Sequence, residues 1–249
     1  TDIFRNRYES PRPPFTTLQM PLQGIGEWCH PKQTADIDDS GLRKCANPLL
    51  GNDSLGIYDT GKGLHFLISR KGRNIAFSSL WDNYPDEVSI PITPKAKSYN
   101  AAYLMLAGTT NNMQSRIDNA LVIAEYEEGC ADTLHLENPI NWPTINEEYV
   151  FDDYAFWSAP VMPLRFRLDN GAVGRHINST ELLTTVPSKK ENKEKKIGEN
   201  NRYAIEKGAG VILNMPLNPA RRIRAIRIKT LSNDIVVGIM AITLQKTSD

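Results

Sequence analysis

Ala225-Ile226-Arg227-Ile228-Lys229-Thr230-Leu231, then Ser232-Asn233-Asp234, then Ile235-Val236-Val237-Gly238-Ile239-Met240-Ala241-Ile242-Thr243-Leu244 is the stretch that decides the fold. In its first half isoleucines alternate with cations. Successive side chains of an extended chain point to opposite faces, so Ile226 and Ile228 go to a core while Arg227 and Lys229 go to water. The second half is almost wholly apolar, which predicts a strand at the centre of its sheet. Polar turn-forming residues separate the two halves.

Working outward, β-favouring runs bounded by Gly, Pro, Asn and Asp recur at 64–68, 75–80, 88–92, 101–107, 121–126, 133–136, 164–168 and 211–213. Helical spacing is scarce, so the expected class is all-β, an antiparallel β-sandwich. The 249 residues are expected to form a single sandwich domain, 1–249. A chain of this length buries roughly 70–75% of its unfolded surface, enough to fold without metals or disulfides. Residues 1–63, rich in Pro and Gly, are expected to be an irregular N-terminal segment packed on the sandwich. Residues 187–201, with Lys189, Lys190, Lys193, Lys195 and Lys196 among Glu and Asn, carry too little apolar surface to offset ordering entropy and are expected to be an exposed insertion.

Lys plus Arg and Asp plus Glu both total 29, so no net charge draws the chain to nucleic acid or to an acidic membrane. No apolar run reaches the roughly 20 residues needed to span a bilayer, so no membrane insertion is expected and the chain should be soluble. The polar start, residues 1–10, has no apolar signal segment and looks like a processed end or an arbitrary boundary. Cys29, Cys45 and Cys130 form no Cys-x-x-Cys pair. A Cys29–Cys45 bridge and buried free thiols are the two readings.

Several chemistries lack their motifs. His30, His65, His135 and His176 have no second ligand at helical spacing. Cys29, His30 and Cys45 would supply three zinc ligands without a fourth. Gly24-Ile25-Gly26 does not continue into a dinucleotide fingerprint, and neither a phosphate-binding loop nor a Gly-x-Ser-x-Gly elbow is present. No cofactor is expected, calcium excepted: Asp36, Asp38 and Asp39 are hard oxygen donors, though without the spacing of an EF-hand loop. Turn formation is their other reading.

Three clusters carry the candidate binding residues. Trp81-Asp82-Asn83-Tyr84-Pro85 follows an apolar strand. Aromatic rings cover the C–H faces of pyranoses, and amides and carboxylates address hydroxyls. A packed turn with Trp81 in the core is the alternative. The run 108–119 is denser in polar groups than a turn needs; Arg116 and Asp118 would share a face of an extended segment, as an ion pair or a ligand clasp, with Asn119 as a hydroxyl partner. The third cluster holds Trp142, Glu147, Glu148, Tyr149, Asp152, Asp153, Tyr154, Phe156 and Trp157. Trp142 and Asp153 are its candidate sugar contacts. Glycosidases use two carboxyl groups roughly 5–10 Å apart, but adjacent Asp152 and Asp153 would point to opposite faces if extended. Trp28 beside Glu27 is read as core or interface packing, with sugar stacking as its alternative.

The strings LQGIGEWCHPK, DDSGLR, WDNYPDEVSIP, YLMLAGTTNNMQSRIDN, EEYVFDDYAF and NDIVVGIMAITL resemble the C-terminal sandwich of an uncharacterised family of large glycoside-hydrolase-like proteins from polysaccharide-degrading gut bacteria. The resemblance runs from about Leu18 to Leu244; the lysine-rich insertion departs from it. It implies a jelly-roll or galactose-binding-like sandwich, a neighbouring helical domain carrying the catalytic acids, and export to the periplasm or cell surface. It transfers no catalytic residue. Three functions are therefore expected in competition: a non-catalytic module contacting glycan, a structural sandwich supporting a neighbouring catalytic domain, and a glycoside hydrolase in its own right.

Overall fold

The computed structural model describes residues 4–5, 38–80, 85–94, 98–110, 114–145, 147–149, 162–175, 177, 202–205, 207–233 and 235–247. It is nearly all β. In chain order the elements are β1 (Phe4–Arg5), α1 (Ser40–Cys45), β2 (Asn47–Leu49), β3 (Asn52–Asp59), β4 (His65–Ser69), β5 (Ile75–Ser79), β6 (Glu87–Pro91), β7 (Tyr99–Thr109) and β8 (Asp118–Tyr126). There follow β9 (Ala131–Glu137), β10 (Glu147–Tyr149), β11 (Leu164–Arg167), β12 (Val173–Gly174), β13 (Arg202–Ala204), β14 (Ala209–Pro216), β15 (Ile223–Thr230) and β16 (Val236–Lys246). Each strand expected from the sequence is present, with ends shifted by a few residues.

A seven-stranded sheet, β1-β5-β16-β7-β14-β11-β12, forms the middle layer. A four-stranded sheet, β6-β15-β8-β9, covers one face of it. Ala102, Leu104 and Leu106 of β7 and Val237 and Ile239 of β16 pack there against Val122 and Ala124 of β8 and Ile226 and Ile228 of β15. The opposite face carries a second core, in which Met105, Phe77, Phe166 and Ile212 meet Leu42 of α1, Tyr58 of β3 and Phe66 and Ile68 of β4. Those last residues belong to α1 and the three-stranded sheet β2-β3-β4.

Burial on both faces explains the continuous apolar run of β16, buried without interruption from Val236 to Ala241, whereas β15 has one wet face and alternates. As its composition predicts, β16 is flanked by strands on both sides, β5 and β7. Its register against β7 slips between Ile239 and Ala241, leaving Met240 as an inserted residue. Such a bulge reverses which parity faces which layer. Val237 and Ile239 face the four-stranded sheet before it, Ile242 and Leu244 after it.

The expectation of an irregular segment through residue 63 is corrected over 40–59, where the chain forms α1, β2 and β3. Strand β3 is written in Asn52, Asp53, Gly56 and Asp59, residue types depleted in strands; pairing with β4 over Leu55–Asp59 overrides that preference. Asp39 anchors this layer. It is 2% exposed, holds Arg43 Nε at 2.9 Å through Oδ1, and accepts from Asn74 Nδ2 at 2.9 Å through Oδ2. The expected calcium ligand is thus engaged by protein donors, and Asp38 Oδ1 accepts from the Ser40 amide. Asp36 and Cys29 lie outside the described residues, as does the 187–201 insertion. Cys45 carries a free thiol, 3.2 Å from the Asn170 carbonyl oxygen. Among the described residues no helix is long and apolar enough to cross a membrane.

Candidate functional site

The register brings four connections to one end of the sandwich. Val236, which opens β16, lies opposite both Ser79 at the end of β5 and Thr109 at the end of β7. In the covering sheet, Glu87 at the start of β6 pairs with Lys229, Ala120 pairs with Thr230, and Asp118 pairs with Glu137 at the end of β9. A hydrogen bond joins the layers at this end, where Ser78 and Thr230 share their hydroxyls at 2.8 Å; within the larger sheet the Ser79 hydroxyl donates to the Ile235 carbonyl. The Leu231 amide donates to the Asn119 carbonyl at 3.0 Å. The links following β5, β7, β9 and β15 therefore open at the same place. The described members Pro85, Arg116, Asp118 and Trp142 of the three sequence clusters border it.

Trp81, Asn83, Tyr84 and Asp153 lie outside the described residues. Their neighbours do not: the Ser79 amide donates to the Pro85 carbonyl at 2.9 Å and the Thr230 amide to the Asp86 carbonyl at 2.9 Å, which fixes Pro85 and Asp86 at this end. Arg116 is exposed and has a left-handed backbone, φ 58°; its amide donates to the Asn138 carbonyl at 2.7 Å. The extended geometry expected for Arg116 and Asp118 is corrected accordingly. Asp118 instead reaches across to β9, where one carboxylate oxygen lies 2.9 Å from His135 Nδ1.

Asn119 and Trp142 are both buried, which corrects the expectation of an exposed amide at Asn119 and of a ring face at Trp142 on which a sugar could stack. Asn119 is 0% exposed and sits where β8 slips register against β9, a position that re-aims a side chain. Its Oδ1 accepts from the Thr110 hydroxyl at 2.6 Å and its Nδ2 donates to the Gln114 carbonyl at 2.8 Å. It fastens the β7–β8 link from within. Trp142 is 1% exposed and belongs to the core shared with the four-stranded sheet. Its position is set by a tight turn: the amides of Asn141 and Trp142 both donate to the Glu137 carbonyl, and the Asn141 side chain accepts from the Glu137 amide and donates to the His135 carbonyl.

Gly108 lets that ring in. A Cβ there would lie 2.0 Å from the Val236 carbonyl oxygen and 3.1 Å from Trp142 Cζ2. Gly108→Ala should therefore cost about 1–3 kcal/mol by overpacking. Urea unfolding checks it; an unchanged midpoint would mean that β16 yields freely.

Buried polar atoms without a hydrogen-bond partner concentrate at this end: Gln114 Oε1, both side-chain polar atoms of Asn138, Trp142 Nε1 and Thr144 Oγ1. Asn138 is 0% exposed. Sequence reading passed over Asn138 and Thr144; the signal was an Asn-Pro pair ending a strand, followed closely by Trp-Pro. Among the described residues no cluster of three or more His, Cys, Asp or Glu is arranged for a metal ion.

The flank of the four-stranded sheet is a different surface. Arg227 lies between Glu87 and Glu125, each at 2.9 Å, and Arg224 reaches Glu125 at 3.0 Å. The outward positions described on β6, β15, β8 and β9 hold no Trp, Tyr or Phe, so this face offers no stacking platform for a sugar ring. At the opposite end of the sandwich an open cleft of about 360 Å3 lies between residues 132–134 and 215–218. Beside it Tyr126 bonds Asp132 and accepts from the Asn218 amide at 2.8 Å. Burial first, and then the bond to Asp132, push the Tyr126 hydroxyl up to about 12.

That shift has a signed consequence. Above the ordinary tyrosine value the unfolded chain loses this proton before the folded one does, so stability falls as pH rises from about 10 to about 12 and is unaffected below that window. Tyr58, raised chiefly by burial, adds in the same direction. A phenolate absorbance titration should show both hydroxyls ionising above the ordinary tyrosine value of 10.0. Tyr126 ionising at that ordinary value would refute the assignment.

Comparison with family models, curated proteins and solved structures finds no match to this chain.

Proposed function

We propose that the chain is a non-catalytic, carbohydrate-associated β-sandwich module of a larger glycoside-hydrolase-like protein, and that it contacts glycan at the end where the links after β5, β7, β9 and β15 meet. The observation that carries this reading is that convergence: the link bearing Trp81, Asn83 and Tyr84 opens beside the link bearing Arg116 and Asp118. Uncharged donors and acceptors are buried in the turns after β7 and β9 at the same end, the chemistry that neutral polyols require. Export to the periplasm or cell surface belongs to the same proposal.

A second reading, a structural sandwich supporting a neighbouring catalytic domain, draws on a different surface. Ile57 and Leu67 are cross-strand partners on the outer face of the three-stranded sheet, 39% and 53% exposed, with Leu50 fully exposed at the adjoining turn. An apolar patch of that kind suits a packing partner.

Binding of the isolated chain to a panel of plant and host polysaccharides, followed by tryptophan fluorescence and a reducing-sugar assay, separates the readings. Under the module reading Trp81→Ala and Arg116→Ala each weaken binding by about 1–3 kcal/mol at an unchanged unfolding midpoint. No binding at millimolar sugar favours structural support, and release of reducing ends makes the chain a hydrolase.

A further inference from the structure

The polar atoms left without partners at the loop end are not scattered. Gln114 precedes Ser115, which bridges to Asn138 in parallel register, and the next amide, Arg116, donates to the Asn138 carbonyl. Trp142 follows on the same turn as Asn138, held by the Glu137 carbonyl, with the Cζ2 edge of its ring, next to Nε1, against Gly108. Thr144 follows two residues later, 2% exposed, its carbonyl accepting from Arg165 at 2.7 Å. Two neighbouring turns, 108–119 and 137–144, thus hold the whole set.

Its own groups are mixed and uncharged, and the neighbouring Arg165 guanidinium donates to the backbone carbonyls of Thr144 and Ala209. Trp142 Nε1 and Asn138 Nδ2 donate, Asn138 Oδ1 and Gln114 Oε1 accept, and Thr144 Oγ1 does either. A cation needs acceptors alone and an anion donors alone. A hydroxyl-bearing group uses both, and internal waters settle on buried polar groups of this kind with about three hydrogen bonds each.

We propose that Gln114, Asn138, Trp142 and Thr144 form a nook for an uncharged O–H group, either an internal water or a hydroxyl of a bound sugar. Only the sugar source rests on the glycan reading above.

The indole N–H of Trp142 is the probe. In the 15N-labelled full chain, with that resonance identified by Trp142→Phe, a through-space exchange peak to water is expected. The spectrum is then repeated with galactose and with glucose. A water peak that neither sugar changes assigns the nook to internal water, and it stands even if the chain binds no glycan. A water peak lost in step with a saturable shift of the indole resonance assigns it to a sugar hydroxyl. Asn138→Leu should abolish the water peak and shift the indole resonance; if that variant fails to fold, Gln114→Met is measured in its place and should weaken the peak. The absence of any water or sugar contact in the native chain overturns the proposal, and so does a crystal structure with a metal ion or anion bonded to Asn138.

Discussion

Trp142→Ala is expected to unfold at markedly lower denaturant, with a loss of about 3–5 kcal/mol, the range for removing a large aromatic side chain from a core. The ring is 1% exposed and packs in the core shared by the seven- and four-stranded sheets. Its turn is held by bonds to Glu137 and Asn141, so the backbone has little freedom to collapse into the space left behind. Trp142→Phe should cost much less, because it keeps an aromatic ring and removes an indole N–H that has no protein partner. Equilibrium urea unfolding of both variants measures the difference. If the alanine variant lost under about 1 kcal/mol, the site would be collapsible and the core assignment of Trp142 would fail.

A loss of similar size is expected at the other layer. Asp39→Ala leaves Arg43, whose side chain is 11% exposed, without the carboxylate that holds its Nε, and removes the acceptor for Asn74 Nδ2. Breaking a buried charged pair by deleting one partner costs about 3–5 kcal/mol, since the remaining charge stays desolvated. Here the lower half of that range is the better expectation, because Arg43 also donates to the Gly72 carbonyl at 2.7 Å and to Asn74 Oδ1 at 2.7 Å. Asp39→Asn, which keeps one acceptor, should fall between. Hydrogen exchange locates the effect: the Leu42 amide, bonded to the Leu168 carbonyl at 2.8 Å, should exchange faster while β8 and β15 keep their protection. Uniform loss of protection would mean that Asp39 holds the whole molecule rather than this layer.

Sequence alone carried the strands of the two larger sheets, apart from the two-residue edge strands β1 and β12, because their signal is composition and period. Ile226 and Ile228 alternate with cations, and the run from Val236 to Ala241 has no polar side chain. It did not carry β3, whose Asn, Asp and Gly content speaks for a turn until β4 is there to pair with it. Nor did it carry the third layer, since a strand covered on both faces looks alike whatever covers it. At the site, the clustering of Arg116, Asp118 and Asn119 was legible, but their directions were not. A left-handed residue at Arg116 and a slipped register at Asn119 turn neighbouring side chains apart, and neither is written in residue type. Trp142 stands near an acidic, aromatic stretch that suggested sugar contact; the turn that drives it inward depends on Asn141 closing back on Glu137.

The inserted residue at Met240 and the two-sided burial of β16 make adjacent positions strangers to each other. Val236 belongs with Tyr58 and Phe66, and Val237, one peptide bond away, with Ile226 and Ile228. Substitutions that change volume at Val237 will be compensated by changes far away in the chain and not by changes at Val236. Sequence variation along this strand should therefore split into two independent series that exchange parity at Met240.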